Sequence, residues 1–388
     1  MSEKENDREG DAITALRNEL DGIDGEMAAL FKRRMDISLA IADETSRAGL
    51  PVGDPERERA TIFRAAELAG DDLVRDTKMM FSTLFGLAKA RQRTRIKGEG
   101  PLVQSITRAA AEGRPIPSRT LVACQGTEGS YAQQATTRMF EAPSIVFMRD
   151  FESVFEIVEK GLCPYGILPV ENSSAGSVAQ VYDLMVKHRF HIVRSVRVKV
   201  DHVLLGRRGA KLSDIREVAS HPHALAQCGA FLKANPDIKA VPATNTAVAA
   251  KELAEGDSSE RGVIASRACA DIYGLDILAE NVSDASYNYT RFICISRKLE
   301  ITPDADKFSI MLTLPHRPGS LCTIISKFAA AGVNLTKLES RPIPGMDFEF
   351  RFTFEFESSP TDPNVLALLA ELSQDPEIES FAFLGAYA

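Results

Sequence analysis

The sequence predicts a multidomain protein with a helical N-terminal region, an α/β region and a C-terminal α+β region. Apolar residues at helical spacing fill the first part of the chain. Short apolar runs rich in β-branched residues then alternate with helical patterns. The last part has the order β-α-β-β-α-β. We therefore place a helical domain at 1–97, a linker at 98–118, an α/β domain at 119–299 and a ferredoxin-like domain at 300–388.

Composition limits the classes of function that the chain can have. A chain of 388 residues exceeds one ordinary core, and 44% hydrophobic with 26% charged residues is typical of a globular protein. A net charge of −8 argues against nucleic-acid binding, which needs a surplus of Lys and Arg. No apolar run approaches the ~20 residues of a membrane helix. The polar, acidic start argues against a signal peptide. We expect a cytoplasmic protein without a membrane or nucleic-acid partner.

The cysteines and histidines predict no metal site. Six cysteines are scattered without a C-x-x-C pair, which indicates reduced core thiols in a cytosolic protein. Six histidines show no H-x-x-x-H or similar spacing. We expect neither a metal nor a cofactor.

One long seam dominates the helical domain. Its members follow one another in steps of three and four, a heptad pattern: Ile13, Leu16, Leu20, Ile23, Met27, Leu30, Arg34, Ile37 and Ile41. A single helix cannot bury such a stripe alone, so we expect a homodimer or homotetramer. The stretch "GLPVGDPERER" ends the seam, and helices are predicted at 54–69 and 73–95.

The next two regions follow from other patterns. Gly, Pro and small residues over 98–118 predict the linker. Runs such as "TLVACQG", "YGILPVEN" and "RFICIS" predict strands that alternate with helices, which indicates a mostly parallel arrangement. In the C-terminal region, "FSIMLTL" and "FEFRFTFEF" (348–356) have the alternation of half-buried strands, whereas "LCTIISKFAAAG" and "NVLALLAELSQ" predict helices. The stretches "VNLTKLES" and "IESFAFLGA" complete the order as strands.

Arg34 occupies an apolar position of the seam. The aliphatic carbons of its side chain could pack against the apolar neighbours while the guanidinium reaches water. Alternatively it faces a pocket that binds an anion, because a buried guanidinium needs a partner and a carboxylate fits its fork. Arg17 and Arg57 could reach the same pocket, although each alone reads as a surface charge.

These arginines belong to a larger pattern, which resembles the all-helical chorismate mutase family. The matching residues are Arg17 in "ALR", Arg34, then Asp54, Arg57 and Glu58 in "DPERE", and Gln92 in "ARQR". The resemblance implies a pocket that holds chorismate, a dicarboxylate, in a folded shape during a rearrangement without proton transfer.

The same resemblance predicts a defect in this pocket. Thr45 stands where the family has a lysine aimed at the breaking ether bond, and Ala88 stands where it has a serine. Loss of one preorganised donor typically costs ~10²–10³ in rate. We therefore expect weak or absent mutase activity, with anion binding retained.

The α/β region resembles prephenate dehydratase over residues 119–298. The resemblance rests on "GTEGSYAQQA", "YGILPVENSSAGSV", "DHVLLG", "SHPHALAQC", "ATNTAVAA" and "NYTRFICIS", which occur in the order of the family. It implies two lobes with a cleft between them and a reaction without a cofactor. In that reaction prephenate loses CO₂ and its ring hydroxyl.

Site residues follow from this resemblance. The catalytic residues that it implies are Thr290, Asn172, Ser173 and Gln227. Those that it implies for substrate binding are Ser130, Tyr131, Ser174, Ser220, His221, Thr246, Arg291 and Phe292. Thr290 would donate a hydrogen bond to the departing hydroxyl, although by itself it reads as an ordinary strand threonine.

Two of these motifs keep a structural alternative. The "ENSS" stretch is predicted to lie at a strand-to-helix junction, where it is either an anion site or an ordinary helix cap. His221 could equally be a structural cap beside Pro222. Asn245 stands where a serine is common in the family and preserves a polar side chain.

The C-terminal region resembles an ACT domain, a small-molecule sensor that binds phenylalanine in dehydratases. The residues that this resemblance implies for effector binding are Gly319, Ser320 and Leu321 in "PGSLC", and Asn334, Leu335, Glu339, Ser340 and Arg341 in "NLTKLESRP". A loop before a helix N-terminus suits a carboxylate. A plain tight turn and a strand are the structural alternative.

The sequence leaves three other functions open. One is a fully bifunctional enzyme that also converts chorismate. Another is a non-catalytic amino-acid sensor, against which the intact "NYTRF" and "ENSS" stretches count. A third is a dehydratase that acts on arogenate, which carries an amino group.

Overall fold

The computed structural model describes residues 3–343, 345–346 and 349–388, with burial described from residue 12 onward. The chain divides into two compact units. The first comprises residues up to Gln104 together with Arg317–Lys327 and Leu366–Ile378. The second comprises Ser105–His316, Phe328–Val365 and Glu379–Ala388. The domain limits drawn from the sequence stay a prediction.

Helices build the N-terminal part of the chain, as predicted. They are α1 (Glu3–Arg47), α2 (Pro55–Ala69), α3 (Val74–Lys97) and α4 (Gly100–Glu112). The Asp54 carboxylate caps α2 by accepting the backbone N–H groups of Glu56 and Arg57, each at 3.1 Å. Pro55 fills the first helical position, where a missing N–H carries no cost.

Helix α4 corrects the prediction of an irregular linker at 98–118. Val103 and Ile106 lie on one helical face and are 1% and 0% exposed, so apolar burial stabilises a helix here. Pro101 lies in the first turn, where proline is tolerated. The Gly and Pro content that predicted a linker therefore marks only the ends of this helix.

The apolar members of the seam on α1 are exposed in the single chain. All eight are at least 46% exposed: Ile13, Leu16, Leu20, Ile23, Met27, Leu30, Ile37 and Ile41. Met35 and Ala42, which lie on the same helix but outside the seam, are buried. The expected partner protomer stays a prediction.

Strands and helices alternate over the middle of the chain. The strands are β1 (Leu121–Gln125), β2 (Ser144–Met148), β3 (Tyr165–Asn172), β4 (Gly176–Ser177), β5 (His191–Lys199), β6 (His202–Gly206), β7 (Glu217–Ser220), β8 (Lys239–Pro242), β9 (Arg261–Ser266), β10 (Asp276–Ala279) and β11 (Tyr289–Ser296). The helices are α5 (Tyr131–Met139), α6 (Phe151–Glu159), α7 (Ala179–His188), α8 (Pro222–Ala226), α9 (Gly229–Ala234), α10 (Thr246–Glu255) and α11 (Ala268–Tyr273).

These strands form two sheets, each the centre of one lobe. The first has the order β2-β1-β3-β11-β5, with β4 beside β3, and the second has the order β10-β6-β9-β7-β8. The expectation of mostly parallel strands is wrong, because β11 is antiparallel to both neighbours and β6 pairs antiparallel with β9 and β10. The reason is topological. The chain leaves the first sheet after β5, builds the second sheet, and returns to the first as β11.

The two crossings between the lobes lie side by side. The outgoing crossing joins β5 to β6, and the returning one precedes β11. The Val200 N–H donates to the Asn288 carbonyl oxygen at 2.8 Å, which ties the two crossings together. Residues at the start of β6 and at the start of β11 are therefore neighbours.

The C-terminal region confirms the predicted β-α-β-β-α-β order. Its elements are β12 (Lys307–Leu314), α12 (Ser320–Ala330), β13 (Leu335–Pro342), β14 (Phe350–Glu357), α13 (Pro363–Gln374) and β15 (Ser380–Tyr387). The strands form an antiparallel sheet of order β13-β14-β12-β15. Phe354 and Phe356 of β14 are fully buried against Phe328, with ring centroids 5.3 Å apart in both pairs. Phe348, included in the strand prediction, lies outside the described residues.

Candidate functional site

The returning crossing brings Thr290 and Asn172 together. Thr290 pairs with Asn172 of β3 on one side and with Val198 of β5 on the other. The Asn172 Nδ2 group donates to Thr290 Oγ1 at 3.0 Å and to Asn288 Oδ1 at 2.8 Å. Because the Thr290 oxygen accepts this bond, the threonine's own proton is free to point elsewhere.

The turn after β3 fixes the orientation of the Asn172 amide. Its Oδ1 accepts the backbone N–H groups of Ser174 at 2.9 Å and Ala175 at 3.0 Å. The amide nitrogen must therefore face Thr290 and Asn288. The backbone N–H groups of this turn therefore determine which atom of the Asn172 side chain faces the site.

The same turn corrects the expected strand-to-helix junction. Asn172 ends β3, Gly176 adopts a φ of 78°, and β4 pairs back on β3 as a hairpin. Helix α7 begins only at Ala179. Ser173 is tied to β11, where its Oγ accepts the Tyr289 N–H at 3.0 Å. No helix N-terminus therefore lies at "ENSS", and the Ser174 N–H is already bound to Asn172.

A chain of hydrogen bonds continues from Asn172 to Tyr131. Asn288 Nδ2 donates to Gln227 Oε1 at 3.0 Å, and His202 Nε2 lies 3.3 Å from the same oxygen. His202 Nδ1 lies 3.2 Å from the Tyr131 hydroxyl. The predicted residues Thr290, Asn172, Gln227 and Tyr131 are therefore joined through two residues that the prediction omitted, Asn288 and His202.

The omitted residues lie within motifs already noted. Asn288 precedes the "YT" of "NYTRF", and His202 begins the "HVLLG" strand. A polar residue at the start of a buried strand was the available signal. Both side chains are nearly inaccessible, at 1% exposure for Asn288 and 3% for His202. Burial lowers the pKa of His202 and raises that of Tyr131 well above the usual value, so both groups are neutral.

Other predicted binding residues serve local structure. Ser130 caps α5 by accepting the Gln133 N–H at 3.2 Å. The Ser220 hydroxyl is fully buried and donates to the Ile264 carbonyl oxygen at 2.5 Å. His221 caps α8 through Nδ1, which accepts the His223 N–H, and its predicted binding role stays a prediction. Thr246 is the first residue of α10, and Asn245 caps that helix.

Arg291 and Phe292 do not join the group around Thr290. The Arg291 guanidinium lies 2.7 Å from Glu355 and 3.1 Å from Glu171, with its side chain 11% exposed. Burial alone would lower the pKa of Arg291, but the charge of Glu355 outweighs it and raises that pKa. Phe292 is buried in a core cluster with Val122. Their predicted role in substrate binding stays a prediction.

A second candidate site is a cavity in the helical unit. It has a volume of about 1010 Å³ and is lined by five of the six predicted residues, namely Arg34, Asp54, Arg57, Glu58 and Gln92. Arg17 does not line it in the single chain. Arg34 is half-buried rather than buried, lies over the Phe85 ring and donates to the Leu84 carbonyl oxygen at 3.2 Å. Burial lowers the pKa of Arg34, and no carboxylate pairs with it among the described residues.

Thr45 and Lys89 also line this cavity. The Thr45 hydroxyl donates back to the Ile41 carbonyl oxygen at 2.9 Å, so the helix uses it. Lys89 reaches the cavity from α3 and lies 3.1 Å from the Glu58 carboxylate. The cavity therefore contains a lysine, although not at position 45.

The predicted effector residues lie on several elements. Gly319 adopts a φ of 90° directly before α12, which begins at Ser320 and continues through Leu321. Asn334 precedes β13, which begins at Leu335 and contains Ser340. Glu339 of β13 accepts the Ser177 hydroxyl at 2.5 Å, and Arg341 donates to the Ala179 carbonyl oxygen at 2.8 Å. Their role with an effector stays a prediction.

Two findings concern features outside these sites. No helix of the described chain is long and apolar enough to cross a membrane. Nor do the described residues contain a cluster of three His, Cys, Asp or Glu side chains that could hold a metal ion.

Comparison with known proteins finds relatives for both parts of the chain. The prephenate dehydratase family model matches residues 122–300, and the chorismate mutase type II model matches residues 16–93. An arogenate dehydratase/prephenate dehydratase of Arabidopsis thaliana is 38% identical over 288 residues, 70% of this chain and 72% of the relative. A bifunctional chorismate mutase/prephenate dehydratase of Neisseria gonorrhoeae is 28% identical over 360 residues, 92% of each chain.

A solved structure extends the likeness to three dimensions. The prephenate dehydratase of Arthrobacter aurescens, in complex with L-Phe, has a TM-score of 0.63 and 31% identity. The match covers 69% of this chain and 90% of that chain. With the Thr290 site formed as described, the chain belongs to the prephenate dehydratase family and carries a chorismate mutase type II domain at its N-terminal side.

Proposed function

We propose that the protein converts prephenate to phenylpyruvate, CO₂ and water. The observation that carries this proposal is the hydrogen bond from Asn172 to Thr290 Oγ1, which leaves the threonine proton free to be donated. A hydroxyl that departs from a ring needs such a donor. Because the donor is neutral and held by β11, it requires no reorganisation during the reaction.

The reaction requires few contributions from the protein. The bond between the ring and its carboxylate breaks and releases CO₂, and its electron pair enters the ring. The carbon–oxygen bond of the hydroxyl breaks at the opposite ring carbon, which makes the ring aromatic. Thr290 donates a hydrogen bond to the departing oxygen, and solvent supplies the proton that completes water. Threonine is too weak an acid to transfer its own proton in advance.

Prephenate turnover by Thr290 variants tests this function. We expect Thr290→Ala to lower kcat by ~10²–10³, since one preorganised donor is lost. Thr290→Ser keeps the hydroxyl and should stay within about tenfold of the wild type. Failure of the wild type to consume prephenate, with phenylalanine still bound, would instead support the non-catalytic sensor.

Substrate choice between prephenate and arogenate is a further part of the proposal. The Arabidopsis relative carries both names. We assign prephenate as the substrate, following the resemblance of the bacterial relative of matching length. Competition between the two substrates in one reaction, resolved by product analysis, decides between them.

The helical cavity favours a second function, rearrangement of chorismate. Lys89 supports it, because this residue supplies a cation to the cavity that Thr45 cannot. Arg34 has no carboxylate partner among the described residues and suits one carboxylate of the substrate. Lys89 is then the donor to the breaking ether oxygen, and the protein is bifunctional with reduced mutase activity.

Relocating the charge tests the second function. We expect Lys89→Met to lower chorismate turnover by ~10²–10³ and leave prephenate turnover unchanged. Thr45→Lys in the Lys89→Met background should recover part of the loss. Lys78→Met is the control, since Lys78 lies on the same helix against Phe63 and does not line the cavity. Equal turnover in wild type and Lys89→Met would exclude this role.

The remaining assignments concern regulation and assembly. We propose that the C-terminal region is an ACT domain that binds phenylalanine and inhibits the dehydratase, which the L-Phe complex of the Arthrobacter relative supports.

The exposed seam of α1 supports a homodimer or a homotetramer. Six unpaired cysteines, five of them buried, support a cytoplasmic location. Inhibition by phenylalanine and light scattering of the purified protein test the first two proposals.

A further inference from the structure

We infer that His202 and Asn288 are positioning residues that hold the Gln227 amide with its NH₂ group turned toward the substrate. This inference rests on the proposed dehydratase function. Neither residue is accessible, and each reaches the site only through its neighbours. Their effect on the reaction is to decide which atoms of Gln227 and Thr290 face the substrate.

The direction of every bond follows from the Asn172 end. Because Asn172 Oδ1 accepts two backbone N–H groups, its nitrogen donates to Asn288 Oδ1. The Asn288 nitrogen must then face Gln227, and it donates to Gln227 Oε1 at 3.0 Å. A reversed Gln227 amide would place its NH₂ against the Asn288 NH₂, which puts two donors together.

The His202 end requires the same arrangement. Burial keeps this imidazole neutral, so it has a single N–H. Its Nε2 faces Gln227 Oε1, an acceptor, and the proton must therefore lie on Nε2. Nδ1 then shares the Tyr131 proton with the Asp201 carbonyl oxygen, since the hydroxyl oxygen lies 3.2 Å from Nδ1 and 2.9 Å from that carbonyl oxygen. His202 thus adds a second donor to the Gln227 oxygen.

As a consequence, the two groups of the site that remain available to a ligand, the Gln227 NH₂ and the Thr290 hydroxyl proton, are both hydrogen-bond donors. The Gln227 nitrogen has no acceptor among the described residues, nor does the Thr290 proton. Prephenate offers acceptors to both of them, namely two carboxylates, a keto oxygen and the oxygen of the departing hydroxyl. Four neutral side chains behind the site thus orient two donors without placing a charge there.

Matched substitutions at His202 test this role. The amide nitrogen of glutamine can take the place of imidazole Nε2, whereas that of asparagine takes the place of Nδ1. We expect His202→Gln to keep KM for prephenate within about threefold. We expect His202→Asn to raise KM by about tenfold or more, with a smaller change in kcat, because a hydrogen bond to a carboxylate is lost.

A double-mutant cycle separates positioning from general damage. Since His202 acts through Gln227, His202→Asn should add less than about twofold to the effect of Gln227→Ala. Multiplicative effects of the two substitutions would overturn the inference. Equal damage from His202→Gln and His202→Asn would overturn it as well.

A measurement that needs no activity keeps the inference separate from the proposed function. The ¹⁵N chemical shifts of the His202 ring report which nitrogen carries the proton. We expect the neutral form protonated at Nε2 in the full-length protein at pH 7.5. A proton on Nδ1 would overturn the inference even if prephenate is consumed. Absence of prephenate turnover with the proton on Nε2 would overturn the proposed reaction alone.

Discussion

The two candidate sites of this chain prepare for anionic ligands in opposite ways. The site at Thr290 is formed by neutral side chains whose hydrogen bonds run in one direction from a backbone turn. The helical cavity instead presents the guanidinium of Arg34 and the ammonium of Lys89. Neutral dipoles must be oriented by their neighbours to be useful, whereas a charge acts from any orientation and is screened by salt. Orientation should therefore matter most in the first site and charge in the second.

The largest expected effect comes from reversing one dipole. Asn172→Asp has the same shape but cannot donate to Thr290 or Asn288 at neutral pH. We expect kcat for prephenate to fall by ~10³, since a donor is lost and an acceptor faces the Thr290 oxygen. Steady-state assays at pH 7.5 measure this change.

The control for this experiment is the same substitution at another place. Asn235→Asp removes a bond to the Phe231 carbonyl oxygen on α9 and should leave kcat unchanged. A loss below about tenfold for Asn172→Asp would show that the direction of these bonds does not control the reaction.

In the helical cavity the next effect comes from removing a charge. Arg34→Ala should weaken chorismate binding by ~10², because a charge-assisted bond to a carboxylate disappears. Calorimetric titration measures the Kd, and prephenate turnover should not change. Arg64→Ala on α2 is the control, since that arginine is exposed and does not line the cavity. An unchanged Kd for Arg34→Ala would place the ligand elsewhere.

Arg291 extends the comparison, because it is a charge next to Thr290 in sequence that pairs with Glu355 and Glu171. Glu355→Gln leaves a buried guanidinium with Glu171 as its remaining partner, and we expect the free energy of unfolding to fall by about 3 kcal/mol. Urea denaturation measures this loss, while KM for prephenate should stay within about twofold. Glu217→Gln breaks the half-exposed pair with Arg261 and should cost less than about 1 kcal/mol. A large rise in KM for Glu355→Gln would support the predicted role of Arg291 in substrate binding.

The elements of this fold were easier to predict from sequence than the partners of its side chains. The amphipathic stripes of α1, α2 and α3 are local patterns, and so is the β-α-β-β-α-β order at the C-terminus. The antiparallel course of β11 could not be read locally, because it depends on where the chain returns after building the second lobe. Likewise, the hairpin at "ENSS" depends on Gly176 and on pairing of β4 with β3.

The site residues also divide into those that local motifs predicted and those that depend on the tertiary structure. Thr290, Asn172 and Gln227 lie in motifs, and the structure brings them together. His202 and Asn288 reach the site because the two chain crossings between the lobes lie side by side. The sequence alone does not show that the crossings are adjacent. Arg291 follows Thr290 in sequence, yet successive strand residues face opposite sides, so it meets Glu355 instead.

The smallest expected effect is a pH dependence confined to one of the two regions. All six histidines lie at or beyond His188, outside the N-terminal helices. Burial lowers the pKa values of His191 and His202 in the folded chain. The unfolded chain, with ordinary values near 6.5, binds more protons below that pH, so the α/β region loses stability as pH falls from about 6.5 to 5.

Segment-resolved hydrogen exchange, corrected for intrinsic rates, separates the two regions in this pH window. Protection should decrease toward pH 5 in β5, β6 and β11 and stay constant in α1 and α3. His202→Gln should reduce the pH dependence, because it removes one of the buried bases. Carboxyl groups with lowered pKa values, such as Asp150 and Asp304, act only below about pH 5 and cannot produce this change. Equal loss of protection in the N-terminal helices would mean that the two regions unfold together, and the contrast between their sites would not extend to their stability.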